Sequence, residues 1–132
     1  MYEIVQHTAD VRMRVSAATL EGLFADALRG LMELVKPEYI RAQTVRVQIH
    51  VAAPDSTALL IDFLNEVLTR CHIRREIYPR AAFRSLTSTS VDAELEGHPV
   101  AGFGEDVKAV TYHEADVREH EGRWSTMLVF DI

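Results

Sequence analysis

The stretch PDSTALLIDFLNEVLTRCHI, residues 54–73, most constrains what this chain can fold into. Leu59, Leu60, Phe63, Leu64, Val67, Leu68 and Cys71 recur three and four apart, so they form one stripe of an α-helix that must be buried. Asp55 or Ser56 is placed to cap its N-terminus. A second segment behaves the same way: Thr19 caps it, Glu21 lies in its first turn, and Leu20, Leu23, Phe24, Ala27, Leu28, Leu31 and Val35 form the stripe. Pro37 stops it. Two amphipathic helices need an apolar partner, and alternating strands supply one. Val11, Met13, Val15 and Ala17 alternate with Arg12, Arg14 and Ser16, and Val45, Val47, Ile49 and Val51 alternate in TVRVQIHVAA. Further strands are expected over about 81–88, 90–96, 105–118 and 123–131, with turns at Gly97-His98-Pro99, Gly102-Phe103-Gly104 and Glu121-Gly122. The expected order is β-β-α-β-α followed by a β-meander. That is an α+β fold, a single compact domain over residues 1–132, with a mostly antiparallel or mixed β-sheet covered by two main helices. A chain of 132 residues can bury one such core and is short for two.

Charge and motif content remove several function classes. Twenty acidic side chains against 14 basic ones give a formal net charge of −6, whereas a protein that grips RNA by itself needs a basic face. The densest basic cluster is RCHIRRE, with Arg70, Arg74 and Arg75. Direct, stand-alone nucleic-acid binding is therefore not expected, and a basic protein partner or a cation is. No apolar run approaches the roughly 20 residues of a membrane span, and the N-terminus lacks the basic-then-apolar order of a secretory signal. The single cysteine, Cys71, fits a reducing compartment and reads as a packed thiol rather than a nucleophile. GFGED has too few glycines for a phosphate loop and precedes a strand, and no CxxC or HExxH zinc spacing is present.

Three acid-bearing places remain. HTAD stands at the mouth of the VRMRVSA strand with His7, Thr8 and Asp10; Asp62 and Glu66 share the solvent face of the second helix with Asn65 and Thr69; and the chain ends with Asp131 and the α-carboxylate of Ile132. Asp131 and that carboxylate make an oxygen-rich tip, and Asp10 could join it from another strand. Hard oxygen donors suit Ca²⁺ or Mg²⁺ rather than zinc. Each has a plainer reading as well. Asp10 can cap its own turn, Asp62 and Glu66 can be a solvated helix face, Asp131 a frayed end, and His7 and His113 structural hydrogen-bonding histidines.

HTADV near the N-terminus, LLIDFLNEVL in the second helix, DVKAVTYHEADV late in the chain and the closing FDI occur together, in this order, in the archease family, which this chain resembles over nearly its full length. The resemblance implies a compact α+β fold, a cytoplasmic location and a non-enzymatic role. Archeases are accessory proteins of the RtcB-type tRNA-splicing RNA ligase. That ligase joins a 2′,3′-cyclic phosphate or 3′-phosphate end to a 5′-hydroxyl after GTP guanylylates one of its own histidines in a manganese-dependent reaction. The archease promotes that guanylylation and allows multiple turnovers. The resemblance carries a metal site onto Asp10, Asp131 and Ile132, with Ca²⁺ the expected ion and Mg²⁺ or Mn²⁺ as alternatives. Lys108 and His113 of KAVTYH, with His7 and Asp62, are candidates for lining that site or meeting the partner. Two other classes compete with this reading: a small metal-dependent hydrolase, which lacks an evident nucleophile, base or phosphate loop, and a general chaperone-like binding module, whose mark would be an exposed apolar patch.

Overall fold

The computed structural model describes residues 1–6, the backbone alone at Gln6, and residues 10–132. Both helices form where the apolar stripes place them. α1 (Leu20–Leu34) starts at Thr19, whose side chain accepts from the Gly22 N–H at 2.9 Å. α2 (Ser56–Arg74) starts at Asp55, whose carboxylate accepts from the Ala58 N–H at 2.8 Å. Asp55 rather than Ser56 is thus the cap. α2 ends where Arg75 turns left-handed, and Lys36 does the same just after α1.

The strands form two sheets, and every pairing is antiparallel among the described residues. In the first, β1 (Tyr2–Gln6) pairs with β2 (Asp10–Ala17), and β2 pairs with β9 (Arg123–Asp131). The far edge of β9 is shared by β7 (Ala109–Thr111) and β8 (Arg118–His120). In the second sheet the long β6 (Ser90–Phe103) is the spine, paired with β4 (Val45–Ala52), β5 (Glu76–Leu86) and the short β3 (Pro37–Tyr39). The expected single covered sheet is thus two sheets that share the helices. α1 packs on β1, β2 and β9 of the first and on β5 of the second; α2 packs on β7 of the first and on β4, β5 and β6 of the second. Phe24 of α1, Phe63 of α2 and Phe83 of β5 meet between them, with ring centroids 5.5 to 6.3 Å apart. Cys71 is fully buried against Met32, and burial pushes its thiol up to about 12. It is a packed thiol, as its position in the stripe indicates.

Several boundaries differ from the sequence reading, and β6 also runs on through Gly102 and Phe103, where a turn was expected. Gly97-His98-Pro99 is not a turn: β6 runs straight through it, with Val45 of β4 opposite Gly97 and Glu76 of β5 opposite Pro99. A Cβ on Gly97 would lie 1.7 Å from the Ile77 carbonyl oxygen, so this glycine serves close backbone approach at the register shift between Ile77 and Arg80. Pro37 does end the helix, but it also begins β3, and β5 starts directly after α2 rather than near 81. The expected strand over 105–118 is two short ones, because side chains take over the backbone bonds between them. Thr126 Oγ1 accepts the Asp116 N–H at 3.0 Å and Thr57 Oγ1 accepts the Val117 N–H at 2.9 Å. The Glu121-Gly122 turn is present, both residues at positive φ (50° and 77°), as a tight hairpin between β8 and β9 demands.

Candidate functional site

The alternation of β2 decides which side chains reach the site. Val11, Met13, Val15 and Ala17 are buried, so Asp10, Arg12, Arg14 and Ser16 stand on the outer face of the first sheet. In β9, Leu128 and Phe130 are buried on the core side, which leaves Met127, Val129 and Asp131 outward. Register then sets Asp10 directly opposite Asp131, with Ala109 opposite Asp131 on the other edge of β9. Two carboxylates directly across a ladder lie with Cβ atoms about 4.5–5.5 Å apart and repel each other unless a positive charge is supplied. Lys108, just before β7, donates its backbone N–H to the Asp131 carbonyl oxygen at 2.8 Å and leaves its side chain exposed. Ile132 packs its side chain against the edge of the core.

Part of the positive charge comes from Arg12, two residues along β2 on the same face and opposite Val129. Its Nη1 forms an ion pair with Glu114, and its Nε lies 3.9 Å from Asp10 Oδ1, too far for a hydrogen bond. Asp10 Oδ1 and Arg12 Nε are both buried atoms without a hydrogen-bond partner among the described residues. The guanidinium is held above its ordinary pKa, first by its hydrogen bond to Glu114, then, against desolvation, by the charges of Glu114 and Asp10. It stays charged throughout.

Glu114 belongs to the segment after β7, and that segment is tied down. Tyr112 donates its hydroxyl to Asp62 of α2, which raises the phenol pKa chiefly through that bond. Asn65, one turn from Asp62, clamps the buried Val110 at both ends: its Nδ2 donates to the Val110 carbonyl and its Oδ1 accepts the Val110 N–H, each at 2.8 Å. His113 donates its backbone N–H to Thr111 Oγ1 at 3.3 Å and exposes its ring. Glu66 carries an ordinary helix pair with Arg70 at 3.8 Å. Asn65→Ala strands a buried N–H and C=O, so a loss of about 2 kcal/mol is expected. Faster hydrogen exchange at the Val110 amide than at amides of β1 would check that the loss is local.

Of the residues read from sequence, the structure brings Asp10, Asp131, Ile132 and Lys108 to one end of the first sheet. Asp62 instead anchors Tyr112, and His113 sits exposed beside it. His7 lies outside the described residues, as does Thr8. Arg12 stands beside these acids in the sequence itself, but its pairing with Glu114 was missed, since nothing local links residues 102 positions apart. Asn65 shared a helix face with Asp62 in the sequence, and that face was the available signal.

The donor set bears on which ions this end can hold. Among the described residues no three His, Cys, Asp or Glu side chains converge as a metal-holding group. Asp10 and Asp131 nevertheless offer facing hard oxygens, one of them an orphaned acceptor, and this chemistry fits Ca²⁺, Mg²⁺ or Mn²⁺ as a partial set.

An acidic pair thus stands at one end of a two-sheet, two-helix α+β domain, beside a tethered loop. The model of the Archease protein family matches residues 2–132, and the chain belongs to that family. Its sequence is 32% identical to protein archease of Methanopyrus kandleri over 138 residues, covering 99% of each chain. It is 24% identical to protein archease of Methanosarcina mazei over 143 residues, covering 99% of this chain and 95% of that one. The crystal structure of an archease from Thermotoga maritima, described as a possible chaperone, superposes with a TM-score of 0.72 at 20% identity, over 100% of this chain and 98% of that one. The solution structure of a Methanobacterium thermoautotrophicum protein superposes with a TM-score of 0.70 at 20% identity, over 99% and 98% of the two chains. These two likenesses establish the shared fold.

Proposed function

We propose that this protein is a non-enzymatic activator of an RtcB-type tRNA-splicing RNA ligase, promoting the ligase's guanylylation by GTP and its multiple turnover. Family membership supports the reading, and the observation that carries it is the cross-strand Asp10–Asp131 pair with its orphaned Asp10 oxygen. Asp10, Asp131 and the α-carboxylate of Ile132 would hold a divalent cation, Ca²⁺ first and Mg²⁺ or Mn²⁺ otherwise. Such an ion supplies a positive centre for nucleotide or phosphate oxygens in the partner's cleft. The chain's own contribution is placement: β2 and β9 fix the carboxylates, Lys108 pins the Asp131 backbone, and the Tyr112–Asp62 and Asn65–Val110 ties hold the adjoining segment. The net charge of −6 suits a basic, phosphate-binding partner surface.

Charge pairing also argues against RNA binding by this protein alone. On the second sheet, Arg46, Arg80 and Arg84 lie within 3.3 to 3.9 Å of Glu94 or Glu96, so these bases face acids. No helix among the described residues is long and apolar enough to cross a membrane.

The test is a purified ligase incubated with GTP and Mn²⁺, with and without this protein, following guanylylation over several turnovers. Sustained turnover only when both are present is expected, with no nucleotide hydrolysis by this protein alone. Hydrolysis that tracks the folded protein and disappears in Asp10→Ala would favour the hydrolase class instead. A C-terminal extension beyond Ile132 provides a second check, because it converts that α-carboxylate into a neutral amide. The extended protein is expected to bind Ca²⁺ at least tenfold more weakly and to activate poorly, since affinity follows ligand charge. An N-terminal tag is expected to be tolerated. Equal calorimetric binding by untagged, N-tagged and C-tagged protein would remove Ile132 from the site.

A further inference from the structure

We propose that Arg12 is a resident competitor for the cation position at Asp10, and that Glu114 is the positioning residue that holds it off. This rests on the cation reading above and adds a control to it. The geometry is that of a charge pulled two ways. One guanidinium nitrogen, Nη1, is bound to Glu114, while another, Nε, stops 3.9 Å short of Asp10 Oδ1. Neither Nε nor Oδ1 has a hydrogen-bond partner among the described residues, although both atoms are buried. Buried polar atoms left unpaired are costly even though the two side chains are otherwise 24% and 27% exposed, and a short movement of the guanidinium would satisfy both. Such a movement would also set a fixed positive charge against the carboxylate that a divalent cation needs. Coulomb repulsion between the two positive charges makes the occupancies exclusive in effect, and Arg is suited to the role because its charge cannot be lost by deprotonation.

Glu114 decides the balance because its own carriage is fixed. It follows Tyr112, tethered to α2 through Asp62, and takes a left-handed backbone at φ 61°. Its carboxylate is therefore presented by a braced segment rather than a free tail. The site thus depends on three elements distant in sequence: β2 for Asp10 and Arg12, β9 for Asp131, and the segment after β7 for Glu114. Any partner that engages the exposed Tyr112–Glu114 segment would reach the cation site through Arg12. This arrangement links docking to metal affinity without moving either sheet.

The experiment is Ca²⁺ titration by calorimetry, with thermal melting in EDTA and in Ca²⁺ as a second readout. It uses the full chain and the variants Arg12→Gln, Glu114→Gln, their double variant, and Asp10→Asn. Arg12→Gln is expected to bind Ca²⁺ at least tenfold more tightly than the unaltered protein and to gain a larger rise in Tm from Ca²⁺. Glu114→Gln is expected to bind at least threefold more weakly. In the double variant the Glu114 change is expected to have no further effect, since it acts through Arg12. Equal weakening by Glu114→Gln with and without Arg12 would make Glu114 a direct contributor and overturn its positioning role. Unchanged or weaker binding by Arg12→Gln, with binding abolished in Asp10→Asn, would overturn the competitor role and leave the cation site standing. Absence of Ca²⁺, Mg²⁺ and Mn²⁺ binding in every protein, Arg12→Gln included, would overturn the cation reading and this control together.

Discussion

Asp10→Ala is expected to leave an RtcB-type ligase at its unassisted rate of guanylylation, while the variant melts within about 4 °C of the unaltered protein. The large functional effect and the small structural one have separate causes. Asp10 is the first residue of β2 on the outer face, and its side chain is 27% exposed. Its loss removes a 3.9 Å contact to Arg12, which keeps Glu114, and it relieves the repulsion with Asp131. A partly exposed ion pair contributes about 0–1 kcal/mol, so the fold has little to lose. The cation reading loses one of its two side-chain carboxylates, and Asp131→Ala is expected to behave the same way. A fully active Asp10→Ala would show that the acid pair is not the working surface. An unfolded one would show that Asp10 is structural.

Gly97→Ala is expected to destabilise the protein by about 3 kcal/mol or more, with a fall in Tm of about 10 °C or more. The added Cβ would lie 1.7 Å from the Ile77 carbonyl oxygen, 2.7 Å from its carbonyl carbon and 2.9 Å from the Tyr78 Cα. All three are backbone atoms, so no side chain can turn aside. Nor can the strand yield easily: Ile77 and Tyr78 are buried in the core, and the Val100 N–H donates to the Arg75 carbonyl at 2.9 Å. Gly122→Ala is the matched control. There nothing lies within 4 Å of the new Cβ and only the positive φ resists it, so a cost of about 1 kcal/mol is expected. Urea melts of the two variants side by side test the contrast. Equal midpoints would mean that β5 and β6 can separate at Gly97 without loss.

These two sites mark the border between what local reading could find and what it could not. Gly97-His98-Pro99 carries the strongest turn-forming composition in its region, yet it lies inside a 14-residue strand. Glycine and proline there answer to β5, which reaches them from the end of α2, and not to a change of chain direction. Asp10 and Asp131 were each visible as acids near strand ends, but an acid at a strand end is usually just solvated. Only the antiparallel register of β2 with β9 makes them a pair.

The sequence by itself determined the two helices, their buried stripes, the cap at Thr19 and the second cap to within Asp55 or Ser56, along with the inward and outward faces of β2 and β4. These features follow from spacing within a few residues, where side-chain periodicity and capping chemistry act directly. Four ordered motifs also carried the family, and with it the expectation that Asp10 and Asp131 stand together. Tertiary structure alone decided that the strands split into two sheets sharing the helices, that β6 passes unbroken through Gly97, and that Arg12 meets Glu114 beside Asp10. The physical reason is that strand partners are chosen by how distant apolar faces are buried together. A one-residue change of register would send every outer-face charge to the other side, and with it the acid pair.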